Sequence, residues 1–344
     1  MIRKAFLFVF VLILFAAIFF GWEFFGPATS FSKDKYYLYI KTGMEYEEVL
    51  NLLQKDTVLK SPLFFKLLAK KIDYHANVKA GKYEIKNGMS LFEIARMLRN
   101  GRQIPVNLVI TKLRTKEDLA SAIGRRFECD SSSVIDFLEN NDTLKKYGLD
   151  SNTVMASVFP DTYTYFWNTT PSRIFKKFHA AYQNFWTEER KQQARERNLD
   201  PISAYVLASI VEEETNKQED KSLIASTYLN RISKGMKLSA DPTIKFAMRN
   251  FELKRIYDKY LSVESPYNTY KYAGLPPGPI CTPTKETIDA VLHSPTTNYL
   301  YFVAKPDFSG YSNFSENYEQ HLRYAKEYQK ALDSFMIKNN QQAK

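Results

Sequence analysis

Three consecutive carboxylates, Glu212, Glu213 and Glu214, close the segment 200–216, DPISAYVLASIVEEETN, which is otherwise largely apolar from Ala204 to Val211. The segment reads as one helix, with Asp200 as its N-cap and Pro201 in the first turn, where a missing N–H costs nothing. Positions three, four and seven apart share a helix face. Glu214 therefore lies beneath Val211, Ile210 and Leu207, on a stripe that begins at Ala204. Burial on that stripe disfavours the charged carboxylate and raises its pKa, the property a general acid needs near neutral pH. Glu213 follows Val206 and Ile210 at seven and three residues and is the rival candidate, whereas Glu212 follows Tyr205, Ala208 and Ser209 and points furthest from the stripe. The competing reading is a solvated run of glutamates at a helix end, because perturbed acids mark functional sites only as a tendency.

The elements around this helix must position it. A second helix is expected over 221–233, with Leu223, Ile224, Thr227, Tyr228 and Ile232 on one stripe and a stop at Gly235. Turn-rich segments follow: SADPT at 239–243, SPYNTY at 265–270 and GLPPGPI at 274–280. Rigid loops of this kind often carry function. They would hold Asp241, Thr243, Asn268 and Thr269, while Tyr267, Tyr270 and Tyr272 offer faces suited to sugar rings. Upstream, helices are expected at 116–127, at 132–140 and through 173–197, with an aromatic loop at 159–163 that carries Asp161 and lines a groove. A strand at 298–304, NYLYFVA, and a helix over 318–335 close the chain.

At the other end, Arg3 and Lys4 precede an uncharged apolar run from Ala5 to Trp22. About 20 apolar residues cross the hydrocarbon core of a bilayer, and a cleaved signal has a shorter apolar region, so an uncleaved anchor is expected; Ala28 is the alternative cleavage site. No basic residue follows the run until Lys33, which leaves the N-terminus cytoplasmic and the rest of the chain outside. The net charge of +10 then suits anionic lipid or an acidic wall polymer, and no nucleic-acid motif accompanies it. Cys129 and Cys281 are too few for a disulfide framework, and their spacing does not say whether they pair. His75, His179, His293 and His321 stand apart, so a metal site is not expected.

Between these ends lies an internal repeat. Thr42-Gly43-Met44, Glu48-Val49-Leu50 and Leu52-Leu53 recur 45 residues later as Asn87-Gly88-Met89, Glu93-Ile94-Ala95 and Met97-Leu98. A weaker third copy starts at Lys112-Leu113, with Glu117, Leu119 and Ile123 at comparable places and no glycine. Each copy reads as an extended segment, a turn and an amphipathic helix. Such copies must pack on one another, which predicts a compact binding or spacing module from residue 36 to about 110. The alternative is a shared α+β design without true repetition.

The N-terminal span, ASIVEEET, ADPT, YNTY, GLPPGPI and YLYFVA together resemble the endolytic murein transglycosylases, the YceG-like family, over nearly the whole chain. The resemblance implies an α+β protein: a cytoplasmic tail at 1–4, a transmembrane helix at 5–25, a LysM-like α+β module at 36–110, a connecting helical region at 111–157 and a larger α+β catalytic domain at 158–338. It implies a single-pass enzyme of the inner (cytoplasmic) membrane, with its catalytic domain periplasmic. Its partners would be peptidoglycan glycan strands, the membrane and peptidoglycan synthases, with no nucleic acid and no metal or organic cofactor. The family's catalytic glutamate precedes a threonine, which here selects Glu214 before Thr215 and leaves Glu212 in support. Family members often carry lysine between two glutamates. Glu213 stands there instead, a like charge expected to raise the acid's pKa further. Asp241, Asn268, Tyr270 and Gly274 match family motif positions and, with Thr243 and Glu212, are expected to bind substrate. Two other readings stay open: a hydrolase that adds Asp241 or Asp161 as second carboxylate, and a wall-binding membrane protein in which Glu214 is structural.

Overall fold

The computed structural model describes residues 2–342, which fold into helices with three short two-stranded sheets and divide into two compact units. The first unit holds the chain to Leu108, with Ile123–Asp130 and Thr164–Thr170; the second holds Val109–Ala122, Ser131–Tyr163 and the chain from Pro171 on. Residues 111–157 belong in part to each unit.

The first unit begins with α1 (Ile2–Phe25), which has no buried residue and is long and apolar enough to cross a membrane. Strand β1 (Lys35–Ile40), helices α2 (Tyr46–Lys55) and α3 (Pro62–Lys71), strand β2 (Gly81–Lys86) and helix α4 (Leu91–Asn100) follow. The repeat holds residue by residue. Leu38, Ile40, Val49, Leu50 and Leu53 are buried, and so are their counterparts Tyr83, Ile85, Ile94, Ala95 and Leu98. The two strands of the repeat pair antiparallel with each other, Leu38 opposite Tyr83, and so bury one pleated face against the helices. Gly43 and Gly88 turn the chain at φ +83° and +84°, and each following helix opens on a reciprocal cap. The Glu45 amide donates to Glu48 at 2.8 Å and that of Ser90 to Glu93 at 2.8 Å. The weaker third copy keeps this device without the glycine: Thr115 N–H donates to Asp118 at 3.0 Å, and Asp118 N–H returns a bond to the Thr115 hydroxyl.

The chain passes from one unit to the other within β3 (Pro105–Ile110), and later within β4 (Asp161–Phe166). The second unit contains α5 (Lys116–Gly124) up to Ala122, α6 (Ser131–Glu139), the single turn α7 (Asn141–Leu144), α8 (Pro171–Phe185) and α9 (Glu188–Glu196). Helices α10 (Pro201–Glu214), α11 (Gln218–Ser233), α12 (Asp241–Ala247), α13 (Lys285–Leu292) and α14 (Tyr318–Gln342) complete it, with strands β5 (Tyr301–Ala304) and β6 (Ser312–Ser315) pairing antiparallel before α14.

Helix α10 is the axis of this unit. Asp200 caps it by accepting from Ser203 N–H at 2.8 Å, with Pro201 in the first turn as expected. Every residue from Ala204 to Glu212 is buried, enclosed by α9, α11, α12 and α13. This corrects the one-sided stripe: a helix apolar on all sides goes to the centre of its domain. Of its three buried polar side chains, Tyr205 and Ser209 are satisfied by backbone groups. The Tyr205 hydroxyl donates to the Val158 carbonyl, and the Ser209 hydroxyl donates to Val206 O while accepting from Ile280 N–H. The aromatic segment at 159–163 is also not a groove lining. Phe159 is buried in the core against Tyr205, Tyr163 is buried too, and Asp161 opens β4.

A Cβ on Gly43 or Gly88 would meet open space, so only the left-handed backbone resists substitution there. Gly43→Ala and Gly88→Ala are each expected to cost about 1 kcal/mol, and the asparagine variants less, measured as urea unfolding free energies.

Candidate active site

The three carboxylates at the end of α10 meet three different surroundings. Successive helical residues point roughly 100° apart, so neighbours in sequence face different partners. Glu212 accepts from the Lys221 ammonium at 2.9 Å and from the hydroxyls of Thr284, at 3.3 Å, and Thr287. Burial pushes its pKa up, but the Thr287 hydroxyl and Lys221 outweigh that and hold it below the usual carboxylate range. Glu213 turns to Lys112 at 3.1 Å and Arg114 at 3.0 Å. Glu214 has neither among the described residues: there its hydrogen-bond partner is the hydroxyl of the buried Tyr228, which donates at 2.5 Å.

Burial raises the Glu214 pKa to about 7; the nearby Asp241 charge adds to the rise, while the Tyr228 hydroxyl, Arg231 and Lys245 oppose it. The like charge that matters is therefore Asp241, and Glu213, neutralised by its own cations, is not among the causes. At neutral pH the group is poised to give up a proton or to take one, as acid and base catalysis require.

Glu214 lines a cavity of about 790 Å³ together with Tyr228, Arg231, Asp241, Tyr270, Tyr301, Phe302, Tyr318 and His321. Asp241 accepts from the Tyr270 hydroxyl at 2.5 Å. Arg231 is held by the carbonyls of Leu300, at 2.6 Å, and Leu238, at 2.5 Å, which fixes its cation beside the Tyr301 ring. His321 stacks on Tyr301 with centroids 5.3 Å apart; burial, then Arg231, lowers its pKa and favours the neutral ring. A second cavity of about 430 Å³ is lined by Lys112, Glu212, Glu213, Glu214, Thr215, Asn216, Lys217 and Gly310. Glu214 thus borders both.

Of the residues expected to bind substrate, the structure brings Asp241 and Tyr270 into the larger cavity with Glu214 and leaves the others out of it. Glu212, expected to point furthest from the apolar stripe, is the most buried of the three glutamates and is consumed by Lys221 and the threonines, although it also edges the smaller cavity. Thr243 is fully buried, its hydroxyl donating to the Ala240 carbonyl and meeting that of Thr269 at 2.8 Å. Asn268 is fully buried as well. Its amide donates to the carbonyls of Leu261 and Val263, and its oxygen accepts from the amides of Tyr270 and Lys271. Gly274 makes a left-handed turn at φ +86°. These residues shape the loops that present Asp241 and Tyr270. Asp161 lies outside both cavities and pairs with Lys285 at 3.1 Å. Sequence reasoning missed Arg231, Tyr318 and His321 and took Tyr228 for core. The available signal was a tyrosine hydroxyl on an otherwise apolar stripe, a buried polar tip that needs a partner.

Among the described residues, no three acidic, histidine or cysteine side chains group as metal ligands. Cys129 and Cys281 are both free thiols.

A model of the YceG-like family matches residues 38–327. The chain belongs to this family. An endolytic murein transglycosylase of Bacillus subtilis is 28% identical over 332 residues, covering 92% of this chain and 91% of that protein. One from Streptococcus pneumoniae is also 28% identical over 93% of this chain, which spans 64% of that protein's length. The crystal structure of a YceG-like protein from Listeria monocytogenes superposes with a TM-score of 0.56 at 26% identity, over 85% of this chain and 99% of that one.

The YceG-like site yields two stability predictions. A carboxyl whose folded pKa is raised adds stability that is complete below its unfolded pKa and is lost as pH rises through the folded value. Glu214→Gln removes that loss, so unfolding free energies should match the parent near pH 4 and exceed it by up to roughly 3 kcal/mol at pH 8. Lys221→Met strands the buried Glu212 charge and should cost about 3 kcal/mol at pH 7, most of it recovered by adding Glu212→Gln.

Proposed function

We propose that this chain is a membrane-anchored lytic transglycosylase of peptidoglycan, a lyase that cuts the bond between MurNAc and GlcNAc with Glu214 as its single acid and base. The observation that carries the reading is Glu214 itself: alone among three adjacent glutamates it has no ion-pair partner among the described residues, sits where its pKa rises to about 7, and borders two cavities. The relatives named endolytic murein transglycosylases supply the substrate class.

In this mechanism a glycan strand crosses the end of α10 with the scissile bond over Glu214. The carboxylic acid protonates the bridging oxygen, and the C1–O bond breaks with oxocarbenium character at the MurNAc C1. The resulting carboxylate takes the proton of the MurNAc C6 hydroxyl as that oxygen bonds to C1. The products are a 1,6-anhydroMurNAc end and a free GlcNAc hydroxyl. The internal hydroxyl is already held near its target, an advantage that reaches several kcal/mol in intramolecular reactions. Tyr228 fixes the Glu214 rotamer, Asp241 offers negative charge to the developing cation, and the rings of Tyr301, Phe302, Tyr318 and Tyr270 suit the flat faces of sugars. No step calls for a metal or organic cofactor.

In the same reading α1 spans the cytoplasmic membrane once, with Arg3 and Lys4 on the cytoplasmic side and both units outside it. Residues 36–110 form a LysM-like module in which β1 and β2 flank α2 and α3, residues 111–157 connect, and residues 158–338 form the catalytic domain. Peptidoglycan synthases are the expected company.

Asp241 shares the larger cavity with Glu214, which keeps a two-carboxylate hydrolase as the second reading. Mass spectrometry of products from purified protein and uncrosslinked glycan separates the two, since transglycosylation leaves anhydroMurNAc and hydrolysis a reducing MurNAc. Glu214→Gln should lower cleavage by at least about a thousandfold with folding intact, and a variant that still cleaves would sink the assignment. For the parent, kcat/KM should fall as pH rises past about 7, where free Glu214 loses its proton.

A further inference from the structure

Helix α3 carries a surface that the catalytic reading does not use. Leu63 and Leu67, four residues apart, share one face of α3 with Lys70 and Lys71 after them, and Lys60 lies just before the helix. Leu63 is 68% exposed and Leu67 54%, whereas Phe65 and Ala69 on the opposite side are buried in the core of the first unit. Two bare leucines between lysines suit a helix lying in a membrane interface, where apolar side chains enter the acyl boundary and lysine stems reach outward to phosphates.

The position of α3 relative to α1 makes this specific. Phe64, between the two leucines, packs edge-on against Phe19, Phe20 and Phe24, with centroids 6.1, 5.9 and 5.7 Å apart. Phe19 and Phe20 lie inside the uncharged run from Ala5 to Trp22, which as a helix is roughly 27 Å long, close to the hydrocarbon thickness of a bilayer. With α1 across a bilayer, a ring touching them would sit at the depth of the last turns of the span, which would bring Leu63 and Leu67 to the lipid boundary. Lys60 is tied to the same junction by donating to the Pro27 carbonyl at 3.1 Å. Lys66 points elsewhere, toward Glu47 at 4.0 Å.

We propose that α3 is a second membrane contact: Leu63 and Leu67 enter the outer face of the bilayer, and Lys60, Lys70 and Lys71 engage anionic phospholipid headgroups. This adds a second point at which the first unit meets the membrane besides α1. The inference rests on α1 being a membrane span, and its test reports on the two separately.

The full chain, with Cys129→Ser and with Cys281 left in place because it is buried, is reconstituted in nanodiscs of phosphatidylglycerol and phosphatidylcholine. A fluorescent label is placed on Phe15→Cys, Leu63→Cys or Leu67→Cys, and nitroxide-bearing lipid serves as quencher. The expected result is loss of fluorescence at all three sites, with the loss at 63 and 67 reduced in discs of phosphatidylcholine alone or when Lys60, Lys70 and Lys71 are changed to Gln. Quenching at 15 with bright, water-accessible labels at 63 and 67 overturns the inference and leaves the span standing. Bright labels at all three overturn both. Quenching at 63 and 67 that ignores both headgroup charge and the lysine changes removes the anionic-lipid part.

Discussion

For the proposed acid role Glu214 has to keep a proton near neutral pH, while Glu212, two residues before it, is held ionised. Burial acts to raise the pKa of both and cannot by itself tell them apart. The structure sorts them by partner instead: Glu212 has an ammonium and two hydroxyls, Glu213 an ammonium and a guanidinium, and Glu214 one neutral phenol. A cation at hydrogen-bond distance from Glu214 would hold it ionised and abolish its use as an acid. The phenol acts more gently. It fixes the carboxylate in place and trims the rise that burial and Asp241 cause, without reversing it.

That sorting depends on two helices meeting in one register. Lys221, Tyr228 and Arg231 lie seven and then three residues apart, on one face of α11. The face thus presents a cation to Glu212, a phenol to Glu214 and a second cation to the cavity beyond. Displacing α11 by a single turn would bring a charge where the phenol belongs. The register is locked by the enclosure of α10 on every side and by bonds that leave its interior polar groups no alternative, such as Ser209 to Ile280 and Tyr205 to Val158. The core here sets the electrostatics of the site as well as the stability of the unit.

How much of this could be read from the residues follows from the range of each interaction. The repeat was legible to individual positions, because a left-handed glycine, a reciprocal cap and a period of buried side chains are all settled within a few residues. The N-cap of α10 and most of its extent are legible for the same reason. The stripe that points to Glu214 is not one-sided in the fold, and the cations that pair with its two neighbours come from outside the helix: Lys221 from the next helix, and Lys112 and Arg114 from about a hundred residues upstream. Polar residues in the turn-rich segments looked alike from composition. Thr243 and Asn268 satisfy nearby backbone and face inward, whereas Asp241, at the first position of a short helix the sequence reading took for a loop, faces the cavity. Strand β6, four residues with weak alternation, exists only because β5 is beside it.

A single carboxylate that acts first as acid and then as base faces a constraint that two carboxylates escape. Raising its pKa strengthens the base it becomes but weakens the acid it starts as, so the value that serves both steps lies near the working pH. Burial and Asp241 alone would overshoot that value. Arg231, Lys245 and Tyr228 bring it back, and Arg231 can do so from a distance because two carbonyls pin its guanidinium and keep it from closing on Glu214 as an ion pair. The same pinning puts the guanidinium against Tyr301, on the wall of the larger cavity. Tuning the acid and building that wall are therefore one arrangement, and a change to either should be felt in the other.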